Sequence, residues 1–182
     1  MPPLSDEEIT IHSYLDGILQ EVEQRFGPRD TSFKILPTEI GGPYPRLYFP
    51  GNPGEVVVQL GDKAKGELTE ALSQLAHEAV HLLNPGTSAS VLEEGLATRF
   101  QLEYGNRRSP GYSCPDPDRV TACRLVGDLL SLVPDAVRLL RGSGRSLSMV
   151  APAEILALDP KIKDESAKML ASKFQPPRGH AA

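Results

Sequence analysis

A chain of 182 residues with 40% hydrophobic and 24% charged residues has the composition of an ordinary globular protein and the length of a single domain, 1–182. Its net charge of −5 comes with no basic block, so nothing electrostatic points to nucleic acid or an anionic membrane as a partner. No run approaches the ~18 apolar residues of a membrane span, and Met1-Pro2-Pro3-Leu4-Ser5-Asp6-Glu7-Glu8 lacks the basic and apolar regions of a signal peptide, so a cytoplasmic location is expected.

Ser5 and Glu8 have the spacing of a capping box, and Ile11, Leu15, Ile18, Val22 and Phe26 continue as one helical apolar stripe that ends at Gly27-Pro28. His12 lies within this packing helix without a ligand partner near it in sequence, and reads as structural or solvent-facing. From Thr31 to Leu60 the pattern changes to short strands at Phe33–Leu36, Arg46–Phe49 and Glu55–Leu60. Gly41-Gly42-Pro43 separates the first two, and the turn Pro50-Gly51-Asn52-Pro53-Gly54 predicts a hairpin between the last two.

The next helix carries the chemistry. Leu68, Leu72, Leu75, Ala79 and Leu82 recur at spacings of four and three and form one apolar stripe. His77 and His81 fall on the opposite, polar face with Glu70, Ser73 and Gln74. Spaced i, i+4, the two imidazoles leave the helix one turn apart and can reach a single ion, which is the zinc-binding spacing. Glu78 points about 100° round the helix from His77, a direction suited to a group that handles a metal-bound water. With 4 histidines in the chain, composition alone predicts about 0.007 such patterns, so the spacing is informative.

A catalytic zinc takes three protein ligands and keeps a fourth position for water, so a third ligand is needed. Asn84-Pro85-Gly86 ends the histidine helix, and a second helix starts near Ser90, where Ser90 and Glu93 repeat the capping-box spacing. This predicts that Glu93 turns back to cap the helix, leaving Glu94 on another face as the third metal ligand. Ala97, one turn later, is small enough for the two helices to approach closely.

Gly105 to Pro117 reads as a loop, Asp118 to Val133 as a helix, and Pro134 as the start of a short helix through Leu140. Gly142-Ser143-Gly144 is a further loop, Pro152 to Leu158 adds a turn or two, and Asp159-Pro160 is expected to cap a helix over Lys161 to Phe174. The tail, 175–182, is expected to be flexible, which makes His180 a poor ligand. Cys114 and Cys123 are too few for a disulfide scaffold and read as free thiols, a local disulfide being the alternative in an exported protein.

The residues His77-Glu78-Ala79-Val80-His81 followed by Leu92-Glu93-Glu94-Gly95-Leu96-Ala97 resemble the gluzincin branch of the zincin metallopeptidases, whose second motif reads close to N-E-G-x-A. Glu94, Ala97 and Phe100 are also similar to the E-x-x-A-x-x-F of small intracellular peptidases that cut repressors of mobile elements. The resemblance spans residues 67–104 and implies an α+β, zincin-like fold. In that fold a small N-terminal sheet of about three strands packs on the histidine helix, and a mainly helical C-terminal part follows. It implies one Zn2+ per chain held by His77, His81 and Glu94, with Glu78 as general base, and a peptide or protein substrate paired to an edge strand. It also implies an oxyanion donor, for which Tyr104, Arg107, Arg108 and Tyr112 are the nearest candidates and Tyr112 the first choice. Many relatives carry an acidic residue four positions after the ligand glutamate, where this chain has Thr98, so support for the ligand histidines is expected from elsewhere.

The function so implied is zinc-dependent peptide hydrolysis. With no acidic motif assignable to binding a free amine, an endopeptidase is expected rather than an aminopeptidase. Two other classes stay open: a catalytically silent zincin-fold interaction or regulatory protein, which would have no use for Glu78 as a base, and a zinc amidase acting on a non-peptide substrate.

Overall fold

The computed structural model describes residues 5–86 and 88–175. The expected tail therefore lies, apart from Gln175, outside the described residues, and His180 with it. Over the described residues the protein is α+β and mainly helical, with one small three-stranded sheet.

The first apolar stripe forms two helices, α1 (Asp6–Ser13) and α2 (Leu15–Phe26), where one was expected. At the junction the Tyr14 N–H reaches back three residues to Ile11, and the Ser13 hydroxyl takes the Thr10 carbonyl. The tightened turn leaves both segments on the same buried side. The Ser5–Glu8 capping box forms as expected.

The strands are β1 (Lys34–Ile40), β2 (Arg46–Tyr48) and β3 (Glu55–Leu60), in the order β1-β3-β2. β2 and β3 make the expected antiparallel hairpin, and β1 runs parallel to β3 on its other side. The outer edge of β1 is closed by α1. The Thr38 N–H donates to His12 Nδ1 at 3.2 Å and the Ile40 N–H to Glu8 Oε1 at 2.9 Å. His12 thus serves the sheet, and β2 is left as the other edge.

Val56, Val58 and Leu60 of β3 pack into the core beneath α3 (Leu68–His81). This helix is more enclosed than its stripe predicts, because every residue from Ala71 to Val80 is buried. Leu68, counted in the stripe, is instead 49% exposed in the first turn. α4 (Val91–Asn106) packs along α3, and α5 (Pro117–Leu132) along α4. The shorter α6 (Ala136–Arg141), α7 (Pro152–Leu156) and α8 (Asp164–Ala171) follow. Asp159 does not cap the last helix. It closes a turn on the Lys161 N–H, and the helix begins only after Lys163.

Two contacts fix the start of α4. Ser90 caps it by accepting from the Glu93 N–H, and residues 172–174 clamp its approach, with the Val91 N–H on Ser172 O and the Phe174 N–H on Ala89 O, each at 2.9 Å. The α4–α5 contact is close at Gly95, where an added Cβ would stand 2.3 Å from Ala122 O and 2.8 Å from Val126 Cγ2. Gly95→Ala must therefore move backbone against backbone, and a loss of about 3 kcal/mol or more in chemical denaturation is expected. Unchanged stability would show that the two helices do not meet here. No helix among the described residues is long and apolar enough to cross a membrane.

Candidate metal centre

His77 and His81 leave α3 one turn apart, and Glu94 meets them from the first turn of α4. His77 Nε2 lies 3.3 Å from His81 Nε2 and 3.3 Å from Glu94 Oε1, and His81 Nε2 lies 3.5 Å from Glu94 Oε2. Tetrahedral ligands bonded at ~2.05 Å stand ~3.3 Å apart. The two imidazole nitrogens therefore already stand at the spacing of two ligands of one ion, and with a Glu94 oxygen all three ligand atoms lie within 4.8 Å of one another, so this group could hold a metal.

The outward ring nitrogens are both engaged, which sets the tautomers. His81 Nδ1 lies 2.8 Å from Glu93 Oε1, and a carboxylate only accepts, so Nδ1 carries the hydrogen. For His77 the assignment comes through a longer chain. The Tyr112 hydroxyl donates to Glu70 Oε2 at 2.9 Å, so its oxygen accepts from Gln101 Nε2 at 3.2 Å. Gln101 must then present Oε1 to His77 Nδ1, 3.1 Å away, and His77 donates. Gln74 donates to the other oxygen of Glu70 and accepts from the Gly61 N–H, tying the chain to the end of β3. Both histidines are thus turned with Nε2 toward each other and Glu94, as metal-ligating imidazoles are by their outer partners.

Burial, helped by the charge of Arg119, lowers the His77 pKa to about 4, so this ring is neutral. Burial also opposes charge on His81, but its hydrogen bonds to Glu93 and Glu94 outweigh that and hold its pKa well above the ordinary value. For Glu94 burial favours the neutral form, yet His77 and His81 overrule it and keep the carboxylate ionised. Without metal, then, a proton on His81 Nε2 faces the two other ligand atoms and does the work of the cation. A metal must displace it. Affinity for a divalent ion is expected to rise about tenfold per pH unit until the raised His81 pKa is passed, and then to level off. Calorimetric titration across the neutral range checks this, and an affinity indifferent to pH would contradict it.

Glu78 is 3% exposed, and burial pushes its carboxyl up to about 7 against the opposing charges of His81 and Arg119. No hydrogen bond or ion pair holds this carboxylate among the described residues, so it is free to exchange a proton near neutral pH.

Several expectations need correction. Glu93 does not turn back to cap α4; Ser90 alone caps it, and the Glu93 carboxylate orients His81. The polar face of α3 is not exposed, because α4 and the Tyr112 loop cover it, with His77 only 1% and Glu94 5% exposed. The Tyr112 hydroxyl lies behind the Nδ1 edge of His77 and is not brought to the side where the ligand atoms converge. Gly105 makes this placement possible, since a Cβ there would meet the Tyr112 ring at 2.4 Å. Arg107 pairs with Glu21 of α2, and Arg108 stacks over Tyr104 and donates to its hydroxyl, so none of these three reaches the ligands. Thr98 is buried, with a hydroxyl that has no partner among the described residues. The support expected from its position is given by Glu93 and Gln101.

Sequence reading missed Arg119. Its Nε stands 2.9 Å from Glu94 Oε1, but the N–H is not aimed at that oxygen, which accepts no hydrogen bond from the described residues. A buried carboxylate oxygen without a hydrogen-bond donor among the described residues, 3.3 Å from His77 Nε2, suits a cation site. Gln101 was detectable in principle, being seven residues after Glu94 and so on the same face of α4. Cys114 and Cys123 are free thiols.

No protein-family model, no curated protein and no solved structure matches this chain.

Proposed function

We propose that this protein is a zinc-dependent peptidase with a zincin-like fold, acting as an endopeptidase on peptide or protein substrates. The observation that carries the reading is the convergence of His77, His81 and Glu94, with one ligand atom of each within 4.8 Å of the others, beside Glu78, a buried carboxyl poised near neutrality. Two histidines and a carboxylate leave one coordination position for solvent, and such a donor set suits zinc. Bound there, zinc supplies a Lewis acid and lowers the pKa of a coordinated water.

Glu78 takes the proton of the attacking water and passes it to the nitrogen of the departing amine, the task its raised pKa suits. Arg119, the nearest cation to Glu94, is the group placed to donate to the oxyanion, in place of Tyr112. Glu93 and Gln101 hold the two imidazoles so that Nε2 stays directed inward. β2, the edge that α1 does not close, offers its backbone to an extended peptide.

The zinc-loaded protein is expected to cleave a denatured protein mixture and peptides with blocked N-termini, and to stop on chelation. New N-termini read by mass spectrometry check this. Cleavage restricted to unblocked peptides would make it an aminopeptidase. A second reading, a scaffold that keeps its metal without catalysis, is favoured by the near-complete burial of Glu78 and Glu94. Stoichiometric zinc without any cleavage would establish it.

A further inference from the structure

Arg141 is 1% exposed. Nη1 donates to the carbonyls of Phe26 and Gly27, and Nη2 to those of Pro28 and Asn84 Oδ1. Its Nε has no partner among the described residues. Glu93, 8% exposed, spends Oε1 on His81, and its Oε2 likewise has no partner among the described residues. An unpaired buried donor and an unpaired buried acceptor are each costly. These two residues line the same small cavity, with Val80, Leu83, Asn84 and Leu147 as its other walls. It offers about 10 Å3 to the centre of a water molecule, the room of a single water.

We propose that one buried water fills this cavity, accepting from Arg141 Nε–H and donating to Glu93 Oε2, and that Arg141 acts through it as a positioning residue for the metal ligand His81. The Phe26–Pro28 turn, the end of α3 and the first turn of α4 are thereby joined in one polar network. Arg141 fixes the carboxylate, and the carboxylate fixes the Nδ1–H tautomer and the direction of Nε2. A mobile apolar filling of the cavity would leave Glu93 free to rotate away from His81.

The inference rests on the metal reading for its consequence, though the water itself does not. A high-resolution crystal structure of the metal-free parent is expected to show an ordered water within ~3.2 Å of both atoms. A dry cavity overturns the proposal whether or not any variant folds. In the full chain, Arg141→Lys keeps the charge and removes Nε–H. It is expected to weaken zinc about tenfold by chelator competition, as loss of an outer partner does. Introduced into a Glu93→Ala background, the same change is expected to cost nothing further. A role confined to holding the Phe26–Pro28 carbonyls would instead give equal losses in both backgrounds, and that result overturns the positioning role. A parent protein that binds no zinc defeats the metal reading, while the crystal structure still decides the water.

Discussion

Glu78→Gln is expected to leave zinc binding intact and to lower peptide hydrolysis by about 10³-fold, the middle of the range for removal of a general base. The amide keeps the size of the side chain but cannot take a proton from water. Because Glu78 is not a ligand in this account, metal content is expected to stay at the parent value. The burial that raises its pKa to about 7 disfavours a charge there, so the neutral amide is not expected to destabilise the fold. Parallel measurement of bound zinc and of cleavage rate separates the roles. A variant that cleaves as fast as the parent would remove Glu78 from the mechanism, and one that loses zinc would make it a ligand.

Glu94→Ala is expected to produce the largest change in metal binding. Outer partners cost ~10–100-fold in affinity, and loss of a ligand must exceed that. The carboxylate also lies against His77, His81 and Arg119, so its removal leaves buried positive charge unbalanced and is expected to cost the metal-free fold about 3–5 kcal/mol. Thermal unfolding with and without zinc distinguishes the two effects. The parent is expected to gain about 4 kcal/mol at a zinc concentration of ~1,000 Kd, whereas the variant, already less stable, gains none. An equal zinc-dependent rise in both proteins would exclude Glu94 from the coordination sphere.

Much of this site was legible in the sequence because helix geometry alone brings residues i and i+4 together. His77 and His81 needed no tertiary information, and the turn at Asn84-Pro85-Gly86 with the Ser90 cap located the helix that delivers Glu94. The roles of adjacent glutamates were harder. A capping-box spacing is compatible with Glu93 bonding either its own helix end or a neighbouring helix, and His81, a charge-assisted partner at 2.8 Å, wins. The positions of Tyr112 and Arg119 were not legible for a similar reason. The first is drawn behind His77 by Glu70, forty-two residues earlier in the chain, and by the space above Gly105. The second is brought in by the close α4–α5 approach at Gly95, a non-local contact with no periodic signal.

The same limit applied to the fold. Period-two patterns located the hairpin, since its register depends on one turn. The parallel pairing of β1 with β3 and the closure of β1 by Glu8 and His12 depend on contacts far apart in sequence. The polar face of α3 reads as exposed from its residues alone. It is buried by α4 and the Tyr112 loop, and the burial is tolerated because Gln74 and His77 find partners on neighbouring segments and Ser73 bonds back to the Thr69 carbonyl of its own helix.

The most direct test of the metal centre is anomalous diffraction at the zinc edge from crystals of the full chain equilibrated with zinc. One peak per chain at ~2.1 Å from His77 Nε2, His81 Nε2 and a Glu94 oxygen, with Glu78 near it but not coordinating, is the predicted result. No peak at this position, with His77 and His81 still facing each other 3.3 Å apart, would contradict it and leave the H-E-x-x-H spacing without a metal.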